Sequence, residues 1–246
     1  MSQKTRQEQD SLGKIKVANN NLWGAQTQRS LKNFRIGNDI MPIEIIHALA
    51  VIKMSCAKAN QKQKLLSPKL ARAIIDAAKQ VSLGKHDEHF PLSVWQTGSG
   101  TQTNMNVNEV IANIANRKIS KKLGTNSPVH PNDHVNKSQS TNDSFPSAIN
   151  IACKLKIVSE LVPALKSMEN VLKSQSQKWK SIIKIGRTHL QDATPLSLGQ
   201  EFSGYQAQIN SNIRRVEGAL TNLSYLAQGG TAVGTGLNTK RGFDQI

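Results

Sequence analysis

Any chemistry in this chain would be built around His189. It stands in Gly186-Arg187-Thr188-His189-Leu190-Gln191-Asp192-Ala193-Thr194-Pro195, a run of hydrogen-bonding side chains just before a long amphipathic segment. An imidazole titrates near neutral pH, so it can position or deprotonate a water with little help from its surroundings. Thr188 adds a hydroxyl beside it. Alone, such a histidine reads as a loop residue capping the next helix, and a chemical role depends on what other segments bring to it.

Two further polar blocks could do so. Trp95-Gln96-Thr97-Gly98-Ser99-Gly100-Thr101-Gln102-Thr103-Asn104 is a loop of small and hydroxyl residues leading into a helical pattern. Its glycines let backbone N–H groups approach a ligand, and a helix N-terminus favours an anion. A Gly-Ser-Gly turn is common by itself. The second block runs from Val129 to Asp143 and is dense in amides, hydroxyls and imidazoles, including His130, Asn132, Asp133, Ser140, Thr141 and Asn142. Helix capping explains Ser140 or Asn142 but not the whole block. A zinc reading of His130 and His134 fails on spacing, because they flank Pro131 and Asn132 rather than lie on a regular helix, with no partner motif after them.

The elements that must position these blocks are helical. Ile45, Ile46, Leu49, Ile52 and Met54 recur at helical spacing between Pro42 and Lys58, and Pro42 suits a first turn. A second helix begins at Ser67-Pro68, with Ser67 as N-cap and Gly84 as stop. Val107, Val110, Ile111, Ile114 and Ile119 mark the core face of a third. Phe145 to Leu172 follows steps of three or four, with Pro146 in the first turn and Pro163 as a kink. Phe202, Tyr205, Ile209, Ile213, Val216, Leu220, Leu223 and Leu226 form a bundle-type seam. Residues 1–40 read as an irregular polar entry segment, and Gly229–Thr239 as a flexible glycine loop.

Composition narrows the class. With 246 residues the chain can bury a core as one large domain or two ordinary ones. Cys56 and Cys153 lie in apolar helical runs and suggest neither a disulfide framework nor a metal site. No signal peptide or membrane-length apolar run is present, so the sequence reads as a soluble, cytoplasmic protein without a membrane partner. The net charge of +16 comes from scattered lysines without interleaved aromatics, which argues against nucleic acid and for attraction of small anions.

The blocks Trp23–Ser30, Gln96–Glu109, Val129–Pro146, Gly186–Gly199 and Gly229–Thr239 together resemble, in register, the shared regions of the fumarase/aspartase superfamily. Gln96–Gln102 and Gly186–Asp192 are similar to class II fumarases, whose aspartase relatives typically carry Gln where His189 stands. The resemblance implies a mainly α fold: a small helical N-terminal domain (1–139), then part of a long-helix bundle (140–246). It implies a homotetramer with shared active sites, a dicarboxylate substrate (fumarate or malate), and no metal or organic cofactor. Thr188 and His189 would be catalytic, His189 positioning the water. Thr101, Ser140, Thr141 and Asn142 would hold the substrate carboxylates with Ser99 nearby, and His130, Asn132 and Asp133 would form a second dicarboxylate site.

The departures are equally specific. The family's Gly-Ser-Ser loop, with its serine base, and the Lys-x-Asn that follows it are not among these residues, nor are the remaining bundle helices and the C-terminal part. Ser127 and Pro128 stand where some relatives carry basic residues near the second site. The expectation is therefore a truncated chain, inactive by itself. The alternatives are an aspartate ammonia-lyase-like enzyme of the same superfamily, or a noncatalytic remnant acting as a helical interaction module.

Overall fold

A computed structural model describes residues 4–246, which are mainly helical as the sequence implies. They form two compact units, one reaching to Ala152 and taking in Leu226–Ile246, the other spanning Cys153–Tyr225. The closing glycine-rich segment is therefore counted with the first unit, not with the helices that precede it in sequence.

The first unit begins with structure that the sequence reading missed. Strands β1 (Thr5–Asp10) and β2 (Gly13–Ala18) pair antiparallel, Thr5 opposite Ala18 and Asp10 opposite Gly13, and helix α1 (Ala25–Asn33) follows. The entry segment is therefore ordered, not irregular. Only Ile15 and Val17 supply buried apolar side chains to this hairpin, so its alternation is too short to read as a strand signal. Polar contacts compensate: Arg6 donates to the carbonyls of Ala18, Asn21 and Trp23 at 2.8–2.9 Å.

Helices α2 (Ile43–Lys62), α3 (Pro68–Ser82) and α4 (Thr101–Ser120) build the core. Ile46, Leu49, Ile74, Val107, Val110 and Ile111 are buried in it. Helix α3 starts where Ser67 Oγ accepts the Leu70 N–H, and Gly84, at φ +73°, follows its end, as the punctuation predicts. Glu109 is buried on α4 and accepts from the backbone N–H groups of Gly24, Gln26 and Thr27 at 2.8–3.1 Å. That carboxylate satisfies the orphan donors at the start of α1.

Helix α5 (Thr141–Lys156) is followed by a π-turn at Ile157–Leu161 and by α6 (Val162–Lys178). Pro146 lies beyond the first turn of α5, one turn deeper than expected. The expected break near Pro163 takes the form of that π-turn. Wider helical winding just ahead of Pro163 makes room for a ring that lacks an N–H.

In the second unit α6 packs on α7 (Leu198–Ala219), with a hairpin of β3 (Ile183–Thr188) and β4 (Gln191–Ser197) between them in sequence. Ser197 and Gln200 form a reciprocal capping box that starts α7. Trp179 meets Phe202 edge-on at 4.7 Å between ring centroids. The expected seam is longer than the helix. Helix α7 ends at Ala219, after Gly218 and before the poor helix formers Thr221 and Asn222, so Leu220, its C-cap, and Leu223 and Leu226 fall outside it. Of the seam residues only Ile213 is buried. Among the described residues, no helix is long and apolar enough to cross a membrane.

Candidate active site

The start of α4 is a hydroxyl cluster. Gly100 caps the helix in the left-handed region at φ +72°, and a Cβ there would meet the Phe145 ring at 2.6 Å. Only glycine allows the loop to close onto α5 at this point. Ser99 Oγ and Thr101 Oγ1 lie 2.8 Å apart, both exposed. One hydroxyl donates to the other, so one proton of the pair remains for a ligand. Gln96 anchors the loop, its Nε2 donating to Thr103 Oγ1 at 2.8 Å and its Oε1 accepting the Thr103 N–H at 3.0 Å.

The start of α5 adds the second group. Ser140 Oγ accepts the Asn142 N–H at 3.2 Å, and Asp143 Oδ1 accepts the Ser140 N–H at 3.0 Å. Thr141 Oγ1 accepts from Asn104 Nδ2 of α4 at 3.0 Å. Each hydroxyl spends a lone pair internally and keeps its proton to donate outward, the polarity that an anion needs. The Asn104–Thr141 bond joins the first turns of α4 and α5, and the Phe145 ring of α5 fills the space a Cβ on Gly100 would need. Asn142 turns its amide to the Ala232 carbonyl at 2.9 Å.

Sequence reasoning missed the residues that hold these groups in place. Asp143 is buried, and its Oδ2 accepts from Gly229 N, Thr231 N and Gln228 Nε2 at 2.9–3.3 Å, clasping the glycine-rich segment to α5. The expected flexible loop is thus a series of turns pinned by one carboxylate. Lys53 of α2 is fully buried and donates to Asn136 Oδ1 at 2.8 Å and Gln139 Oε1 at 2.9 Å. Asn136 Oδ1 also accepts from Asn104 at 3.2 Å, so the chain of bonds runs from Lys53 to Thr141. Burial without a hydrogen-bonded carboxylate pushes the Lys53 ammonium down to about 7. Lys53 shares the apolar face of Leu49 and Cys56, and a lysine in that position is the signal the sequence offered.

His130, Asn132 and Asp133 lie at a short π-turn, Pro131–Val135. His130 Nδ1 accepts the N–H groups of Asn132 and Asp133 at 3.3 and 3.1 Å, so the ring caps this turn. His134 Nδ1 in turn accepts the His130 N–H at 2.8 Å. His130 and Asn132 line a cavity of about 360 Å³ that Glu8, Asp10 and Glu109 also line. Asn132 and Asp133 border a more open hollow with Lys137 and Lys240.

Thr188 and His189 belong to the second unit, whereas the other predicted site residues belong to the first. The block that carries them is a hairpin rather than a loop, with Thr188 paired to Gln191 and His189-Leu190 at the tip. His189 and Leu190 both adopt left-handed backbone, at φ +49° and +65°. A leucine there is a strained choice for a two-residue turn, where Asn-Gly is preferred, and strain of this kind collects at functional sites. Leu190 is 86% exposed and Arg187 pairs with Asp192 across the hairpin at 3.1 Å.

A family model described as lyase matches residues 13–246. The chain is 57% identical over 242 residues to a class II fumarate hydratase of Bradyrhizobium diazoefficiens, covering 98% of this chain and 51% of that protein. It is 54% identical over 246 residues to the mitochondrial fumarate hydratase of Saccharomyces cerevisiae, covering 99% and 50%. Its fold matches the crystal structure of a class II fumarase from Schistosoma mansoni with a TM-score of 0.95 at 48% identity, over 98% of this chain and 51% of that one. The chain spans about half the length of the curated relatives it matches. It belongs to the lyase family, within the fumarase/aspartase superfamily.

Proposed function

We propose that the whole protein catalyses the reversible hydration of fumarate to L-malate, and that this chain supplies its water-positioning and carboxylate-binding groups. The observation that carries this reading is the outward donor polarity at two joined helix N-termini, in a chain 57% identical to a class II fumarate hydratase. Loss of the C3 proton of malate leaves a carbanion delocalised into the neighbouring carboxylate. Hydrogen-bond donors aimed at that carboxylate stabilise it more than they stabilise the substrate. Ser99, Thr101, Ser140, Thr141 and Asn142 are assigned to the substrate carboxylates, Thr188 and His189 to the reacting water. His130, Asn132 and Asp133 are assigned to a second dicarboxylate site; the lysine-bordered hollow at Asn132 and Asp133 suits an anion better than the carboxylate-lined cavity at His130 and Asn132.

On this reading residues 1–139 are the N-terminal lyase domain, 140–246 belong to the central bundle, and the protein works as a cytoplasmic homotetramer. The exposed apolar side chains Leu155, Val158, Met168 and Val171 support subunit packing. Fumarate absorbance tests the activity, measured on this chain and on the chain joined to the second half of the Bradyrhizobium relative. The expected result is turnover by the completed protein and negligible turnover by the 246 residues alone. Ammonia release from aspartate by the completed protein, with no hydration of fumarate, would transfer the assignment to the aspartase branch. A folded completed protein with neither activity would favour a noncatalytic module.

A further inference from the structure

Outside the substrate-binding segments, the turn between α3 and the Trp95 loop gathers ligand-type side chains. Asp87–His89 is a single 3-10 turn. One ring nitrogen each from His86 and His89 and a carboxylate oxygen of Glu88 lie within 4.8 Å of one another. The two rings stack at 6.1 Å and 26°. His89 Nε2 stands 3.3 Å from Glu88 Oε1. That is the edge of a tetrahedron about an ion placed roughly 2.0–2.1 Å from each ligand.

We propose that His86, Glu88 and His89 form a three-ligand site for a first-row divalent transition ion, with Zn2+ as the defining probe. Two imidazoles and one carboxylate suit such an ion better than Ca2+ or Mg2+, which take oxygen ligands. The supports around the ligands are in place. Gln80 Oε1 lies 3.3 Å from His86 Nε2, the type of carbonyl partner that orients a metal-binding imidazole. Asn106 Nδ2 donates to the His89 carbonyl at 3.1 Å, and His47 pairs with Asp87 at 2.9 Å, so the turn is tied to α4 and α2. Glu88 is 68% exposed against 11% for the His89 side chain, so the carboxylate is the arm free to swing onto an ion held by the rings. Arg117 and Lys85 lie close enough to His86 to act on it electrostatically, and their positive charge opposes a bound cation. A bound ion would clip the turn that leads into the Trp95–Asn104 loop, a structural role separate from the hydration chemistry.

The test is Zn2+ titration of the tag-free chain by calorimetry, with long-range 1H–15N spectra of the histidine rings. One equivalent should bind, the ring nitrogens of His86 and His89 should move first, and the melting temperature should rise with free Zn2+. Glu88→Gln and His86→Gln should each weaken binding by about tenfold or more, with far-UV circular dichroism unchanged. Because the ring spectra are read on the unsubstituted protein, a variant that misfolds leaves the test intact. Absence of binding up to millimolar Zn2+ would overturn the proposal. So would ring shifts confined to His130 and His134, or binding that survives both substitutions and is lost in His134→Gln.

Discussion

Helices α4 and α7 are of similar length and differ in what their apolar stripes find within their own unit. On α4, Val107, Val110, Ile111, Ala112, Ile114 and Ala115 are all buried, closed over by α2 and α3. On α7 only Gly199 and Ile213 are buried, while Met168 and Val171 on the α6 partner remain exposed. A periodic sequence therefore predicts a helix equally well in both cases but says nothing about who covers it. The same contrast holds for the site. On α5 Thr141 is held through Asn104 and Asn136 in a partly buried network, whereas His189 stands at a hairpin tip with its own strained backbone.

That contrast can be broken by substitution, beginning with the largest expected effect. Ile111→Ala removes a fully buried side chain among α2–α4 and should cost about 2–5 kcal/mol in denaturant unfolding. Asp143→Ala leaves the Gly229 and Thr231 N–H groups without their acceptor. It should cost about 2–4 kcal/mol, and limited proteolysis should open Leu226–Ile246 first. Met168→Ala, on the exposed stripe, should change unfolding by no more than about 0.5 kcal/mol in the uncombined chain. A loss comparable with that of Ile111→Ala would mean that the α6–α7 unit buries a core of its own after all.

Lys53 sharpens the comparison through pH. Its folded value of about 7 lies below the 10.5 of the unfolded chain. Between these values the unfolded state binds more protons, so this residue makes stability rise with pH, starting near 7. Burial pushes the Cys56 thiol up to about 12 from 9.0, so above about pH 9 the thiol works in the opposite direction. Urea unfolding between pH 7 and 9 should show the Lys53 slope, and Lys53→Met should abolish it. An unchanged slope in the variant would place the linkage elsewhere.

Much of the architecture was legible because it rests on local rules. Ser67-Pro68 and Gly84 bound α3, and the Val107–Ile114 pattern named the buried face of α4. The β1–β2 hairpin was not legible, since Arg6 ties it down through carbonyls distant in sequence. The hairpin around His189 carries little strand signal, because Ile183 and Ile185, the alternating apolar residues of β3, are too few to stand out from the approach to a helix. Among site groups, the hydroxyls could be named from motif resemblance. Asn104, Asn136 and Lys53 could not, because their importance lies in bonds joining residues 32 to 83 positions apart.

The central claim is that donor hydroxyls from the first unit and the imidazole from the second serve one reaction. It is tested most directly by kcat/KM for fumarate hydration in the completed protein carrying Thr141→Val or His189→Gln. The account predicts losses of about 10²-fold for each variant, with circular dichroism and assembly unchanged. Hydration kinetics unaltered in either folded variant would contradict it.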